Sequence, residues 1–257
     1  MATYSLKKSY QLKNLKEIKF KDLWGEHGVF TTMWIFGKPA KILFFENHLK
    51  NLIKSLKSYG IKKKSLKKDI SKILNSNLLK GKKYNHLLRI ALNKKVISIS
   101  LRKRIKPKID FNLKLVNLKR EKPQYKNLKY KKILSHLAKL DNSRSDIGLV
   151  VNNKILETGT SNLLFIKENK IFSPIKDYYE GNTFRFFKSK VKKITKKNIL
   201  INELNDYEEI IIIGSGKGVN SVKSIKEVNW KRKSLNKFKE FSKYYKFAVN
   251  KCNQYKF

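Results

Sequence analysis

Apolar residues recur with two different periods along the chain, and together they predict a mixture of strands and amphipathic helices. In the first half, Val29 to Phe36 and Ala40 to Phe45 are apolar segments that flank a Gly-Lys-Pro turn, which predicts a pair of strands. The apolar residues of His48 to Tyr59 and of Ser65 to Leu79 have the three- and four-residue spacing of a helix face. A hairpin is predicted next, from Leu87 to Leu92 and from Val96 to Leu101.

The stretch from Lys103 to Gln124 interrupts this pattern with charged runs and two prolines, so it is the predicted linker between two halves of the chain. Within it, Phe111 to Val116 is a predicted short strand. We therefore expect an N-terminal α/β domain over residues 1–122 and a C-terminal α/β domain over residues 123–257.

The second half begins with a predicted helix from Tyr130 to Leu140 that has an apolar stripe. Asn152-Asn153 is a predicted hairpin turn between two strands. The other predicted elements are strands at Ile147 to Val151, Lys154 to Leu156 and Leu163 to Ile166, a helix from Thr183 to about Thr195, a strand at Asn198 to Asn202, a strand that ends at Gly214, and an amphipathic helix from Leu235 to Cys252.

The 257 residues include 40% apolar residues, 61 basic residues and 19 acidic residues, which gives a formal net charge of +42. The apolar content is typical of a globular protein, whereas the charge would ordinarily indicate a nucleic-acid or anionic-membrane partner. Only seven of the basic residues are arginine, and the lysines are scattered over nearly every polar face. A nucleic-acid reader is expected to use the bidentate and stacking contacts of arginine. We therefore interpret the charge as compositional drift, with a dedicated polyanion site as the alternative.

Cys252 is the single cysteine, so an internal disulfide is excluded and a reducing cytoplasm is the predicted compartment. The same count excludes a Cys-x-x-Cys zinc pair, and the four histidines are too dispersed to indicate a metal site. Apolar runs fall short of the ~20 residues of a membrane span, and the first residues lack a signal-peptide core. We expect a soluble protein with neither a membrane partner nor a specific nucleic-acid partner.

Candidate chemistry is concentrated between Ile155 and Phe165, where Glu157 lies between two apolar, strand-like stretches. A carboxylate that is desolvated in this way needs a cationic partner. Upstream, Asn127 to Tyr130 is predicted to open a helix and contains Lys129. The alternative interpretation is a solvated Glu157 that pairs with one of the many lysines.

Two stretches downstream of Glu157 are candidate anion sites. Glu180-Gly181-Asn182-Thr183 opens a predicted helix, so its free backbone amides and the helix dipole favour an anion. Gly214-Ser215-Gly216 follows an apolar strand and offers backbone amides together with a hydroxyl. Ordinary helix capping would explain Asn182 equally well. A lysine, a carboxylate and phosphate sites are the parts that a pyridoxal-phosphate site needs.

These stretches, in this order, resemble the class IV aminotransferases, the fold-type IV pyridoxal-phosphate enzymes, and the resemblance includes Gly28-Val29-Phe30-Thr31-Thr32 and His48-Leu49-Lys50-Asn51-Leu52. This family contains branched-chain and D-amino-acid aminotransferases and 4-amino-4-deoxychorismate lyase. The resemblance covers nearly the whole chain. It implies a two-domain α/β (α+β) fold with pyridoxal 5'-phosphate held between the domains, and a homodimer.

The resemblance also assigns roles to individual residues. Lys129 would be the catalytic lysine that carries the cofactor covalently, and an amine crowded by positive charge and desolvated loses its proton more easily. Glu157 would hold the proton on the pyridine nitrogen, which keeps the ring an electron sink. The remaining cofactor-binding residues that it implies are Thr160, Asn182, Thr183, Ser215 and Gly216.

Three positions depart from the family pattern. Asn51 stands where the His-x-x-Arg pattern has a phosphate-binding arginine, and Lys54 is a candidate replacement one turn further on. Leu134 stands where aminotransferases often have a tyrosine, and Arg185 is displaced by one position from the Gly-Ile-Thr-Arg pattern. These departures concern cofactor affinity and substrate choice more than the fold.

The stretch from Gly28 to Thr32 is more similar to the lyase branch than to the Phe-Glu pattern of the aminotransferases. We therefore predict a 4-amino-4-deoxychorismate lyase, which acts on a small-molecule amino substrate and forms 4-aminobenzoate and pyruvate. One alternative is a branched-chain or D-amino-acid aminotransferase on the same scaffold. The other is a noncatalytic protein of the same fold that uses the charge of +42 to bind RNA or a membrane.

Overall fold

The computed structural model describes residues 3–257, and its contacts divide the chain into two compact units. The first unit comprises the residues up to 104 together with 125–130 and 251–257, and the second comprises 105–124 and 131–250. The sequence predicted one boundary, between residues 122 and 123. The two compact units do not follow this boundary, because residues 105–124 belong to the second unit, while Lys129 belongs to the first.

The first unit is built on an antiparallel six-stranded sheet with the strand order β2-β1-β6-β5-β3-β4. Its strands are β1 (Tyr4–Gln11), β2 (Glu17–Ile18), β3 (Gly28–Gly37), β4 (Lys41–Ile42), β5 (Tyr84–Asn93) and β6 (Val96–Lys103). Its helices are α1 (Phe45–Ser58) and α2 (Leu66–Asn77). The apolar faces of both helices are buried in one core with the inner strands, as their spacing predicted.

Residues 125–130 run alongside the start of β3 instead of opening a helix. The Phe30 N–H donates to the Lys126 carbonyl at 2.8 Å, and the Leu128 N–H donates to the Gly28 carbonyl at 3.0 Å. The predicted helix from Tyr130 to Leu140 is shorter than expected, because it begins at Lys131 and ends at Leu137. This pairing fixes the backbone around Lys126 against β3.

The second unit is built on a nine-stranded sheet with the order β12-β11-β10-β13-β14-β7-β8-β9, and β15 pairs with β14. Its strands are β7 (Asp110–Asn117), β8 (Ser145–Val151), β9 (Lys154–Thr158), β10 (Asn162–Lys167), β11 (Lys170–Pro174), β12 (Thr195–Lys197), β13 (Glu209–Gly214), β14 (Gly218–Ile225) and β15 (Trp230–Lys231). Its helices are α3 (Lys131–Leu137), α4 (Asn182–Lys188) and α5 (Asn236–Asn250), with short 3-10 helices at Ile201–Asp206 and Lys226–Val228.

The short strand predicted at Phe111 to Val116 is confirmed as β7. The linker interpretation of the stretch around it did not foresee that β7 is an inner strand, which pairs in parallel with β8 and β14 and buries Phe111 and Leu113. The predicted strand at Asn198 to Asn202 is wrong, since among the described residues the strand is β12 and a 3-10 helix begins at Ile201. Both differences arise where partners distant in sequence decide the local structure.

The turn at Asn152-Asn153 is confirmed. Both asparagines have positive φ, 48° and 60°, which a two-residue turn between paired strands requires. The predicted C-terminal helix is also confirmed as α5, and its Phe241 and Tyr245 are buried. Across residues 3–257, no helix has the length and apolar character needed to cross a membrane.

Candidate active site

Glu157 lies on β9 and is paired with Arg120. Nε and Nη2 of Arg120 lie 2.8 and 2.7 Å from Oε1 of Glu157, and the two side chains are 5% and 6% exposed. Arg120 also donates to the carbonyl of Pro123 at 3.0 Å, and Oε2 of Glu157 accepts the Tyr179 N–H at 3.3 Å. The expected cationic partner is therefore an arginine, and its fixed charge stabilises the ionised carboxylate.

The turn that follows, residues 158–161, is here called the Thr160 turn, and a buried aspartate holds it. Oδ2 of Asp146 accepts the hydroxyls of Thr158 at 2.9 Å and Thr160 at 2.7 Å, and the Asp146 side chain is fully buried. The Thr158 hydroxyl in turn accepts the backbone N–H groups of Thr160 and Ser161. The hydroxyl of Thr160, one of the predicted cofactor-binding residues, is thus fixed by a carboxylate of β8.

Asn162 holds the segment that leads into α4. Its side-chain amide donates to the Tyr179 carbonyl at 2.6 Å, and its oxygen accepts the Gly181 N–H at 3.0 Å. Helix α4 begins at Asn182, its N-cap is Gly181, and no side chain caps it. Asn182 is therefore the first helical residue instead of the cap, and both it and Thr183 are buried.

Residues 215–217, here called the Ser215 turn, connect β13 to β14 next to the Thr160 turn. A Cβ atom added at Gly214 would collide with the Ser161 hydroxyl, so this close approach of the two turns requires glycine. On its other side, the Ser215 hydroxyl lies 3.4 Å from the hydroxyl of Thr183. The structure therefore gathers the predicted phosphate residues Thr183 and Ser215 beside the Thr160 turn, in the second unit.

Three residues of this arrangement were missed by the sequence analysis. These are Arg120, Asp146 and Lys217, whose ammonium group lies 2.9 Å from Oδ2 of Asp146. Arg120 stood out only as one of seven arginines in a lysine-rich chain. Asp146 stood out only as one of 19 acidic residues, directly before the predicted strand that begins at Ile147. For Arg120 and Asp146, the rarity of arginines and acidic residues in this chain was the available sequence signal. Lys217 carried no such signal, because lysine is abundant.

Lys129 lies in the first unit with an exposed side chain. Its backbone N–H donates to the Asn127 side chain at 3.1 Å. It lines an open cavity of about 490 Å³ together with residues that include His27, Asn93 and Lys95. Since Lys129 precedes α3 by two residues, it is not at the head of the helix as predicted.

Lys126 lies three residues before Lys129 and is half-buried. It lies close to two of the stretches that resemble the family, Gly28 to Thr32 and His48 to Leu52. Its ammonium lies 5.3 Å from the ring centroid of Phe30. Nδ1 of the buried His48 lies 2.6 Å from the hydroxyl of Thr31. Burial, reinforced by the positive charge of Lys126, lowers the pKa of His48 to about 3. The Gly28 to Thr32 motif, the histidine motif and Lys126 therefore come together in the first unit.

Asn51, which stands where the family pattern has an arginine, lies one turn after His48 on α1. The residue is half-buried, and its backbone carbonyl accepts the Ser55 hydroxyl at 2.8 Å. Lys54, the candidate replacement, has an exposed side chain. A lysine supplies a point charge and lacks the planar fork of arginine, so the bidentate phosphate contact of the pattern is lost at this position.

Residues 28–225 match the family described as amino-transferase class IV. The chain therefore belongs to the class IV aminotransferase family, which confirms the predicted resemblance and the assignment to an enzyme family. No curated protein sequence matches the chain significantly.

Similar solved structures confirm the mixed α/β fold at low sequence identity. The branched-chain aminotransferase from Thermoproteus uzoniensis, solved with norvaline, has a TM-score of 0.75 and 15% identity, and the match covers 95% of each chain. A PLP-bound hypothetical aminotransferase from Mycobacterium tuberculosis has a TM-score of 0.69 and 13% identity over 95% of this chain and 99% of that chain. A candidate 4-amino-4-deoxychorismate lyase from Legionella pneumophila has a TM-score of 0.66 and 18% identity over 87% of this chain and 90% of that chain.

Proposed function

We propose that the chain is a pyridoxal-phosphate enzyme that acts as a 4-amino-4-deoxychorismate lyase and releases 4-aminobenzoate and pyruvate. Family membership makes pyridoxal phosphate the expected cofactor. The observation that carries the proposal is the buried, arginine-paired Glu157 beside a turn lined by hydroxyl groups. We further propose a cytoplasmic homodimer with a small-molecule amino substrate.

The residues of the second unit fit this cofactor. A buried carboxylate that is held ionised by Arg120 suits a protonated pyridine nitrogen. The hydroxyls of Thr183 and Ser215 are donors of the kind that a phosphate group accepts, and Gly216 and Asn182 add backbone amides. The hydroxyl of Thr160 donates to Asp146, so Thr160 would contribute to the site by shaping the turn. When bound, pyridoxal phosphate supplies an aldehyde that condenses with amines and a ring that accepts the electrons of a carbanion.

The protein must also supply a lysine that carries the cofactor and moves a proton at the substrate carbon that bears the amino group. Such an amine has to be neutral to react, and partial burial favours the neutral form. Lys129 is exposed, whereas Lys126 is half-buried against Phe30 and close to His48. We therefore propose Lys126 for this role in preference to Lys129.

Borohydride reduction of the holoenzyme followed by peptide mapping tests the assignment, because reduction fixes the cofactor on its lysine. We expect the adduct on Lys126. An adduct on Lys129 would instead assign the role to Lys129, as the family resemblance implies. A protein that takes up no cofactor and binds RNA with a steep salt dependence would support the noncatalytic alternative.

The lyase activity is supported by the Gly28 to Thr32 motif, which lies on β3 with Thr31 hydrogen-bonded to His48. The test incubates the holoenzyme with 4-amino-4-deoxychorismate and, separately, with L-glutamate, branched-chain amino acids and D-alanine. Release of 4-aminobenzoate without conversion of the cofactor to its amine form by amino acids is the expected result. The reverse pattern would refute the lyase.

The second candidate is a branched-chain aminotransferase. The observation that favours it is the higher TM-score of the Thermoproteus uzoniensis enzyme, 0.75, against 0.66 for the candidate lyase from Legionella pneumophila. The same substrate panel separates the two functions. Conversion of the bound cofactor to its amine form by branched-chain amino acids would favour this candidate.

A further inference from the structure

A buried charged cluster lies beneath the two turns proposed to bind the cofactor, and the chemistry described so far does not use it. Oδ2 of Asp146 accepts Lys217 Nζ at 2.9 Å and the hydroxyls of Thr158 and Thr160 at 2.9 and 2.7 Å. Its Oδ1 accepts the Ile147 N–H at 2.8 Å. The Asp146 side chain is fully buried and that of Lys217 is 11% exposed. Four donors thus converge on one carboxylate.

This cluster joins three separate pieces of the chain. Asp146 belongs to β8, the two threonines belong to the Thr160 turn, and Lys217 belongs to the Ser215 turn. The Lys217 ammonium also lies 4.2 Å from the ring centroid of Phe111 on β7, which restricts its position further. The Ser215 turn is therefore tied to the Thr160 turn through a single carboxylate.

The glycines around the cluster leave little room for another arrangement. A Cβ atom added at Gly159 would lie 2.8 Å from Cγ1 of Ile147 and 3.1 Å from Oδ1 of Asp146. At Gly214 an added Cβ atom would collide with the Ser161 hydroxyl. Because these glycines lie this close to side chains of the neighbouring segments, the turns are tightly packed, and a displacement of Lys217 would disturb both of them.

A buried ion pair is weak support for stability, since its desolvation cost offsets much of the attraction. Such pairs are better suited to fixing one geometry among several, because an alternative arrangement would leave a buried charge unpaired. The Asp146–Lys217 pair fixes the turn that carries Ser215 and Gly216. Its charges neutralise each other, so its effect on a bound anion comes mainly from geometry.

We propose that Lys217 and Asp146 are positioning residues that hold the Ser215 turn in the conformation that binds the cofactor phosphate. The inference rests on the proposed function, because it needs the phosphate to bind at this turn. A turn held in place before binding loses less conformational freedom on binding, so the pair should raise cofactor affinity.

The test compares wild-type protein with Lys217→Met, Lys217→Arg and Asp146→Asn. Methionine keeps the length and apolar stem of lysine but cannot bond to Asp146. We expect Lys217→Met to weaken pyridoxal-phosphate binding by roughly tenfold or more, because a charged hydrogen bond that orders the site is lost. Lys217→Arg retains the charge and should recover part of the affinity, and Asp146→Asn should resemble Lys217→Met.

Arg232→Met is the matched control. Arg232 is also largely buried and bonds to Asp110 and Ser221, so its loss disturbs the second unit, but it bonds to neither turn. Cofactor dissociation constants are measured by absorbance at a temperature where all variants are folded. Hydrogen exchange of residues 214–218 is measured in the cofactor-free protein. We expect faster exchange there in Lys217→Met and unchanged exchange in Arg232→Met.

The possible outcomes separate this inference from the proposed function. Wild-type protein that binds no pyridoxal phosphate would overturn the proposed function and the inference together. Wild-type binding with equal affinity in Lys217→Met would overturn the inference alone. Equal losses of affinity in Lys217→Met and Arg232→Met would show general destabilisation and would also overturn it. Selective loss with partial recovery in Lys217→Arg would confirm it.

Discussion

Arg120 and Glu157 form an ion pair in which both side chains are almost completely buried, at 2.7 Å between Nη2 and Oε1. Arg120 precedes β8 and Glu157 lies on β9, so the pair joins two segments that are 37 residues apart. Each side chain has lost most of its hydration, so each charge is compensated mainly by the other.

Replacing Arg120 by methionine should leave the Glu157 charge buried without its main partner. We expect the free energy of unfolding at neutral pH to fall by about 3–5 kcal/mol, as for other broken buried pairs. Urea unfolding followed by circular dichroism measures the change. Replacing both residues, Arg120→Met with Glu157→Leu, removes both charges and should recover most of the loss.

The control for this prediction is Arg144→Met. Arg144 pairs with Asp141 at 3.9 Å, and both side chains are more than half exposed. An exposed pair contributes little, so we expect a change below about 0.5 kcal/mol. Equal effects of Arg120→Met and Arg144→Met would contradict the interpretation of the Arg120–Glu157 pair.

Gly28 begins the motif that favours the lyase interpretation, and its packing provides a second prediction. A Cβ atom at this position would collide with the backbone carbonyl of Leu92 and lie 2.8 Å from Cδ1 of Leu128. Relieving the collision requires a shift of the β5 backbone, which costs free energy. Gly28→Ala should therefore destabilise the protein by roughly 1–3 kcal/mol or more. Thermal unfolding of Gly28→Ala measures this.

Gly81→Ala is the matched control, since no atom lies within 4 Å of an added Cβ there. We expect it to leave the unfolding temperature nearly unchanged. If Gly28→Ala unfolds at the same temperature as Gly81→Ala, the close approach of β3 to β5 at Leu92 is not as described.

Elements with a strong local pattern could be predicted from the sequence, and elements decided by distant partners could not. The turn at Asn152-Asn153 has residues that tolerate positive φ, and α1 has a regular apolar face, so both were correct. The strand at Phe111 to Val116 was predicted, but its place inside a sheet was not, because Pro107 and charged runs around it indicated a linker. Its stability comes from parallel pairing with β8 and β14, which begin 35 or more residues later.

The same distinction applies to the candidate site. Glu157 and Ser215 lie in recognisable stretches, whereas the partner of each depends on the fold. Residue rarity was an unused signal. In a chain where lysine is so abundant, arginine at positions 89, 120 and 232 forms ion pairs in which the arginine side chain is at most 15% exposed. These positions need a planar fork of donors, which lysine does not provide.

The buried His48 gives a third prediction, on pH dependence. Burial, together with the charge of Lys126, lowers its pKa from 6.5 to about 3 in the folded protein. Between these two values the unfolded chain binds a proton that the folded chain does not. The free energy of unfolding should therefore fall as the pH is lowered below 6.5, by up to about 1.4 kcal/mol for each pH unit until the pH approaches 3.

Urea unfolding at pH 7.5 and pH 5 measures this dependence, and His48→Gln is the comparison. Glutamine does not titrate, so the variant should lose less stability than the wild type on going from pH 7.5 to pH 5. The carboxylates titrate in both proteins, and the difference between them isolates His48. An equal loss in both proteins would contradict the assignment of a neutral, buried His48.

The two lysines that precede α3 give the last prediction. Lys126 is half-buried with its ammonium near Phe30, whereas the side chain of Lys129 is exposed. If Lys126 carries the cofactor, Lys126→Ala should lose the covalent cofactor absorbance and lower turnover by roughly 10²–10⁴-fold, the usual contribution of a proton-transferring group. Lys129→Ala should keep both the absorbance and turnover within about twofold, as expected for a solvated surface residue. Because the two substitutions remove the same side chain three residues apart, each is the control for the other, and the reversed result would assign the role to Lys129.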